Sequence, residues 1–221
     1  MIAALIQRDL RLSFRKGSGM LATLAFFMIA IALFPFALGG AVEALRPVAA
    51  GAVWIAALLA AFLSLDGIWH DDYADGTFDA LLTADVPPFV IVFAKTVSHW
   101  LVAGLPLVLA GLPAALMLHA PVSVLLLLAA SMVIGTLYTS LAGGLGAVLT
   151  FGARRTGLLI ALLVLPLCVP MLVLGVLGAA AVLADLPVRA YLLLQLALLI
   201  AMLPLGLVAM GTILRMQTRL T

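Results

Sequence analysis

Residues 54–82, WIAALLAAFLSLDGIWHDDYADGTFDALL, change abruptly from an uncharged apolar half to an acidic half. Residues 54–65 carry no charge, whereas residues 71–88 hold five of the nine acidic residues of the chain: Asp71, Asp72, Asp75, Asp79 and Asp85. A continuous apolar run suits a helix that crosses hydrocarbon, and charges are costly within such a helix. The stretch therefore predicts a membrane span that ends in a polar loop.

The composition of the whole chain agrees with a membrane protein. Of its 221 residues, 67% are hydrophobic and 9% are charged, against about 25% charged in a soluble domain. So few charges cannot cover a water-facing surface. The net charge of +2 and the lack of a basic run argue against nucleic acid as a partner. Cys168 is the only cysteine, so no internal disulfide can form.

The apolar segments predict an all-α membrane protein with six transmembrane helices. A helix needs about 20 apolar residues to cross the hydrocarbon core. Six segments satisfy this requirement, at about 20–38, 48–65, 97–118, 122–150, 158–183 and 190–213. The chain is then a single transmembrane domain over residues 1–221. Its longest connection, residues 66–96, contains the acidic segment.

The basic residues predict that both termini are cytoplasmic. With the N-terminus placed there, the cytoplasmic side collects nine of the eleven basic residues: Arg8, Arg11, Arg15, Lys16, Lys95, Arg154, Arg155, Arg215 and Arg219. Arg46 and Arg189 remain on the other side. This partition follows the positive-inside rule, and it makes the connection 66–96 cytoplasmic.

The N-terminal residues 1–17 are predicted to form an amphipathic helix in the membrane interface. Arg8, Arg11 and Arg15 recur at three- and four-residue spacing, opposite an apolar side. We expect these arginines to reach lipid phosphates. The alternative is a simple positive anchor before the first span.

The acidic segment is predicted to form two short helices with a break at Gly76, and Pro87-Pro88 ends the second one. Three interpretations of its carboxylates remain open: a docking face for a basic partner, a solvated face, or a metal site. The apolar Phe78, Leu81 and Leu82 favour docking. The spacing does not match a calcium-binding loop, and we expect no metal here.

Two further features have alternative interpretations. Gly135, Thr139 and Gly143 lie at four-residue spacing in the fourth span, where small residues permit close helix approach, either between two copies of the chain or within one. His99 and His119 fall near opposite ends of the third span. We interpret His99, which lies beside Trp100, as a hydrogen-bonded packing residue.

The loop after the second span resembles that of ATP-binding cassette (ABC) permeases of the ABC-2 type. It reads Asp72-Tyr-Ala-Asp75-Gly76-Thr77-Phe78-Asp79-Ala80-Leu81-Leu82, followed by Pro87 and Lys95. The whole chain resembles CcmB, the heme exporter protein B family of permeases in cytochrome c maturation. The segments that carry this resemblance are RDLRLSFR (8–15), FFMIAIALFPFALG (26–39), residues 54–82 above, AKTVSHWLVAGLPLVL (94–109) and LLIALLVLPLCVPMLVLG (158–175).

The resemblance implies a non-catalytic membrane subunit of an ABC transporter in the bacterial inner membrane. Its partners would be a CcmA-like ATPase that binds ATP, the heme-handling CcmC and CcmD, and a second copy of itself. Heme would stay on partner proteins, and ATP hydrolysis would release the heme-loaded chaperone CcmE from CcmC. Membrane lipids surround the chain, and no cofactor is expected on it. Heme ligation by His70, His99 or His119 is the alternative interpretation, and His119 is the most plausible of the three by its position.

The resemblance also assigns roles to individual residues. A coupling helix between spans two and three would dock onto the ATPase through Asp71, Asp72, Asp75, Gly76, Thr77, Phe78, Asp79, Leu81 and Leu82. Arg154 and Arg155 would form a second ATPase contact. Residues 1–17 would be the elbow helix of the family.

The missing motifs agree with a permease subunit. The chain has no G-x-x-x-x-G-K sequence for binding ATP and no C-x-x-C-H sequence for covalent heme. Two other hypotheses remain: an ABC-2-type exporter of a lipid, a drug or another substrate, and a membrane enzyme or passive scaffold. An enzyme requires clustered polar groups in the spans, and these spans contain few.

Overall fold

The computed structural model describes residues 1–65, 67–74, 76–77, 80–81, 86–150 and 156–217. Its helices are α1 (Ile2–Lys16), α2 (Ser18–Leu38), α3 (Val42–Leu45), α4 (Ala49–Leu65), α5 (Gly67–Ala74), α6 (Pro88–His99), α7 (Leu105–Met117), α8 (Val122–Leu149), α9 (Thr156–Leu183) and α10 (Arg189–Gln217). A π-helical turn, Trp100–Gly104, joins α6 to α7. These ranges contain no β-strand.

Six helical segments in the described part of the chain are long and apolar enough to cross a membrane. They are Gly19–Leu38, Ala49–Trp69, Pro88–Met117, Val122–Leu149, Gly157–Leu183 and Arg189–Arg215. The prediction of an all-α membrane protein with six spans is therefore confirmed. The first span follows α1 after a single residue, Gly17, whose φ of 61° turns the chain from one helix into the next.

The third span begins earlier than the sequence suggested. It was predicted to start at about residue 97, but α6 starts at Pro88 and includes Lys95. Proline is favoured at the first position of a helix, where its missing N–H costs nothing. Lys95 stays within the helix because it has anionic partners, described below. The connection predicted over residues 66–96 is correspondingly shorter.

The π-helical turn in the third span lies just before Pro106. Here the backbone N–H of Leu105 reaches back to the carbonyl of Trp100. A proline within a helix lacks an N–H, and its ring crowds the preceding turn. A local π turn widens the helix at that point and relieves the crowding.

The fourth span, α8, is the centre of the bundle and contacts α4, α5, α6, α7, α9 and α10. Its small residues allow large side chains of α4 to approach closely. A methyl group added at Gly135 would lie 2.1 Å from the ring of Trp54, and one at Gly143 would lie 2.2 Å from Leu65. Thr139 is buried and donates its hydroxyl to the Gly135 carbonyl at 2.9 Å. The small residues of the fourth span were predicted to pack either between two copies of the chain or within one. In the structure they pack within one chain.

Replacing Gly135 with alanine is expected to destabilise the protein by about 1–3 kcal/mol, the usual cost of overpacking a filled core. The new methyl group must displace the indole of Trp54. Thermal unfolding in detergent, followed by tryptophan fluorescence, measures this loss.

Gly157→Ala is the matched control for Gly135→Ala, because a methyl group at Gly157 meets nothing within 4 Å. Alanine gains helix propensity over glycine most in a helix interior, so propensity alone would favour Gly135→Ala over Gly157→Ala. A lower unfolding temperature for Gly135→Ala therefore reports packing. Equal unfolding temperatures for the two variants would contradict the close approach of Trp54 to α8.

Candidate functional site

Four charged side chains from three helices form one ion-pair network, which we call the charge cluster: Arg8 and Asp9 of α1, Asp72 of α5 and Lys95 of α6. Arg8 Nη2 lies 2.7 Å from Asp9 Oδ1 and 3.1 Å from Asp72 Oδ1. Lys95 Nζ lies 3.2 Å from Asp9 Oδ2 and also contacts Asp72 Oδ2. Each cation contacts both carboxylates, and the cluster is formally neutral because it contains two cations and two carboxylates.

The charge cluster is largely enclosed by the protein. The exposed fraction of the side chain is 29% for Arg8, 9% for Asp9, 4% for Asp72 and 11% for Lys95. Removing an ion from water costs several kcal/mol, and that cost is offset only by close partners of opposite charge. Burial opposes the charge on Arg8, but its contacts with Asp9 and Asp72 outweigh burial and raise the pKa of the guanidinium. The cluster thus fastens α1 to α5 and to the third span.

A cavity of about 380 Å³ lies beside the charge cluster, between α1 and the ends of the first three spans. Its apolar wall includes Leu12, Met20, Leu63, Ile68 and Val102. Its polar side chains are Asp9, Ser13, Ser64, Asp72, Lys95, Ser98 and His99. The first span begins here and the second ends here, while the third span lines the cavity with residues of its first half, from Lys95 to Ala103. The cavity therefore extends inward from one membrane interface.

Next to the charge cluster, the hydrogen bonds of His99 join three spans. Its Nε2 lies 3.0 Å from Ser64 Oγ on α4, and its Nδ1 lies 2.9 Å from Ser140 Oγ on α8. The neighbouring Trp100 donates its indole N–H to Thr136 Oγ1 at 3.0 Å. This is the geometry of a hydrogen-bonded packing residue. Among the described side chains, no group of three or more His, Cys, Asp or Glu could hold a metal ion.

The acidic segment is described only in part. The side chain of Asp71 and the whole of Asp75, Phe78, Asp79 and Leu82 lie outside the described residues. Arg154 and Arg155, the predicted second contact, also lie outside them. Within the described residues, α5 ends at Ala74, and Gly76 has a φ of 74°, a left-handed conformation that suits a break.

Two predicted docking residues lie against the protein itself. Thr77 is half-buried, and Leu81 packs partly buried against a core cluster of the spans. Asp72 departs further from the predicted acidic face, because only 3% of the residue is exposed. Its carboxylate faces Arg8 and Lys95, so it holds helices of its own chain together.

The N-terminal arginines divide into two kinds. Arg11 and Arg15 are exposed on α1, where the predicted amphipathic helix places them. Arg8 does not project toward lipid phosphates as expected, because its guanidinium turns inward to Asp9 and Asp72. Two carboxylates in a partly dry site attract it more strongly than a hydrated lipid headgroup.

The partners that complete these networks were not predicted from the sequence. Asp9 is the only acidic residue before the first span, and Lys95 is one of only two lysines. An isolated charge at a span end requires a partner, which is a signal that sequence alone provides. Sequence does not show which opposite charge is near in space. Ser64 and Ser140 give no comparable signal, since serine is common in membrane helices.

Comparison with known proteins gives a consistent result. A family model described as "CcmB protein" matches residues 1–217. The chain is 47% identical over 172 residues to Heme exporter protein B of Rhodobacter capsulatus, which covers 78% of this chain and 79% of that protein. It is 43% identical over 189 residues to the protein of the same name from Pseudomonas aeruginosa, covering 86% and 85%. The Escherichia coli protein of that name is 34% identical over 184 residues, covering 83% and 84%.

Lys95→Met is expected to destabilise the protein by about 3–5 kcal/mol, the usual cost of removing one partner from a buried ion pair. The substitution leaves Asp9 and Asp72 sharing Arg8. The double variant Lys95→Met/Asp72→Asn restores one cation and one anion, and we expect it to recover at least half of the loss. Unfolding in mixed micelles with increasing dodecyl sulfate measures both values.

Arg11→Met is the control for this pair, because Arg11 is exposed on the same helix as Arg8. It is expected to change stability by less than about 0.5 kcal/mol. A double variant less stable than Lys95→Met alone would contradict the expected recovery and the proposed pairing of Asp72 with Lys95.

Proposed function

The chain belongs to the CcmB protein family, and we propose that it is the permease subunit of an ABC transporter for c-type cytochrome maturation. In this role it catalyses no reaction. ATP binds to a separate CcmA-like subunit, and heme is carried by partner proteins. Family membership over almost the whole chain is the observation that carries the proposal, together with the heme exporter name of the relatives.

In this proposal, the acidic segment transmits the movement of the ATPase to the spans. A CcmA-like ATPase grips this segment through Asp71, Asp75, Gly76, Thr77, Phe78, Asp79, Leu81 and Leu82, with Arg154 and Arg155 as a second contact. Asp72 is omitted from the docking set because it is enclosed in the charge cluster. Apolar anchors surrounded by charged residues suit a specific docking surface.

The contacts of α5 support transmission of force from the acidic segment. Asp72 ties α5 to α1 through Arg8 and to the third span through Lys95. Trp69 donates its indole N–H to the carbonyl of Gly144 on α8 at 3.2 Å. A helix held by three others cannot move alone. In this proposal, closure of two ATPases displaces α5, and the charge cluster carries that displacement to α1 and the third span.

In this proposal, the motion serves heme delivery. The complex, together with CcmC and CcmD, releases heme-loaded CcmE from CcmC. Two copies of the chain would match two ATPases. The complex lies in the bacterial inner membrane with both termini in the cytoplasm, which brings the acidic segment to the side where ATP is available.

Co-purification tests the docking surface. The tagged chain, solubilised from its native membrane in mild detergent, is expected to retain a CcmA-like ATPase and heme-maturation proteins, identified by mass spectrometry. Asp75→Lys is expected to reduce ATPase recovery at least about tenfold, because it reverses a charge on the proposed docking face.

Glu43→Lys is the matched control, since it reverses an exposed carboxylate on α3, at the opposite end of the spans. It is expected to leave ATPase recovery unchanged. An ATPase recovered without heme proteins would favour a general ABC-2-type exporter. Failure of the folded native chain to retain any ATPase would contradict the permease proposal.

The proposed orientation can be tested with a membrane-impermeant maleimide. In a Cys168→Ala background, Glu43→Cys is expected to react in intact spheroplasts, and Arg15→Cys only after permeabilisation. Both positions are exposed in the structure, so reactivity reports the side of the membrane. The reverse pattern would contradict a cytoplasmic N-terminus.

A further inference from the structure

We propose that the cavity beside the charge cluster binds the headgroup of a phospholipid with a primary ammonium, of the phosphatidylethanolamine class. The cavity has a volume of about 380 Å³, within the range of about 300–1,000 Å³ typical of small-molecule sites. The site is separate from the proposed ATPase contact, and neither proposal depends on the other.

The position of the cavity selects a membrane lipid over a water-soluble molecule. It lies where the first span begins and the second ends, beside the amphipathic helix α1 and the first half of the third span. Headgroups and the first methylene groups of their chains occupy this depth. Leu12, Met20, Leu63 and Val102 supply an apolar wall for those methylene groups.

The charges of the site select a zwitterionic headgroup. Asp9, Asp72 and Lys95 line the cavity, so two carboxylates and one ammonium face it, while Arg8 is outside the lining. With Arg8 included, the cluster is neutral and suits an occupant that is itself neutral. An anionic headgroup would bring an unbalanced negative charge close to two carboxylates, which is unfavourable at low dielectric.

The hydrogen-bonding capacity of the site further selects a primary ammonium. Each carboxylate oxygen has two acceptor positions, and a primary ammonium can donate to those left by Arg8 and Lys95. Lys95 has three N–H donors, and within the described residues its ion partners are Asp9 and Asp72. The remaining donor can serve the lipid phosphate. A trimethylated ammonium has no N–H and cannot form these bonds.

Ser98 gives independent support for a polar occupant. It lines the cavity, only 4% of it is exposed, and its hydroxyl has no hydrogen-bond partner among the described residues. Buried polar groups nearly always have a partner, so the unpaired hydroxyl of this lining residue favours a polar occupant over an apolar one. A phosphate or ester oxygen of a lipid is an acceptor of the right kind.

His99 argues against heme as the occupant. Both of its ring nitrogens are engaged, by Ser64 and Ser140. An iron ligated at either nitrogen would break a hydrogen bond between spans. A lipid headgroup leaves both bonds intact.

Native mass spectrometry of the full chain in detergent tests the proposal. Phosphatidylethanolamine, phosphatidylcholine and phosphatidylglycerol with identical acyl chains are added at equal concentration. We expect one phosphatidylethanolamine to be retained at least about fivefold over either competitor. Gly19→Leu and Gly67→Leu should each reduce that adduct at least about fivefold, because both glycines line the cavity and a Cβ at either meets nothing within 4 Å.

Gly157→Leu is the matched control: like Gly19 it is the second residue of its helix, and its Cβ meets nothing within 4 Å. It should retain the lipid as the native chain does. The competition among the three lipids uses the native chain alone. Its result therefore tests the proposal even if a variant fails to fold. Equal retention of the three lipids, or preference for phosphatidylglycerol, would overturn the proposal. So would hemin uptake that displaces the lipid and is lost in Gly19→Leu.

Discussion

The mutual neutralisation of four charges at one end of the bundle determines how the surrounding helices are arranged. A lone lysine or aspartate at this depth would be costly, and each of these side chains is tolerated only because the others are near. The requirement fixes geometry as well as charge: α1 must lie close to α6, and the start of the acidic segment must approach both. The cavity, the position of α5 and the length of the third span all follow from this arrangement.

Away from the charge cluster, shape holds the bundle together. Lipid tails are as apolar as leucine, so burying leucine between helices gains little in a membrane, and close van der Waals contact contributes more. Trp54 illustrates this principle: its ring fits against glycines of two other spans, Gly135 and Gly175. Hydrogen bonds then join the same elements, with His99 linking the second, third and fourth spans. Such a bundle has few ways to slide one helix past another.

The features that could be predicted from the sequence are local. Six spans follow from apolar runs, and the break at Gly76 follows from the preference of glycine for positive φ. The errors concern residues whose environment is set by distant parts of the chain. Lys95 was assigned to a loop because it is charged, and Asp72 and Arg8 were expected on a surface for the same reason. Their pairing spans 64 residues in the case of Arg8 and Asp72, and no local pattern reports it. The small residues of the fourth span, Gly135, Thr139 and Gly143, could be identified from the sequence. The α4 side chains that pack against the two glycines, Trp54 and Leu65, could not.

The order of the charged residues along the chain has a consequence for biosynthesis. Arg8, Asp9 and Asp72 all precede Lys95, and a membrane protein is made and inserted from its N-terminus. Both carboxylates are therefore already at the membrane when the third span leaves the ribosome. This order allows the lysine to enter the bilayer beside a counter-ion, although it lies within an apolar helix. Permuting the chain so that the third span is synthesised first would preserve every contact of the finished fold and remove this protection during its assembly.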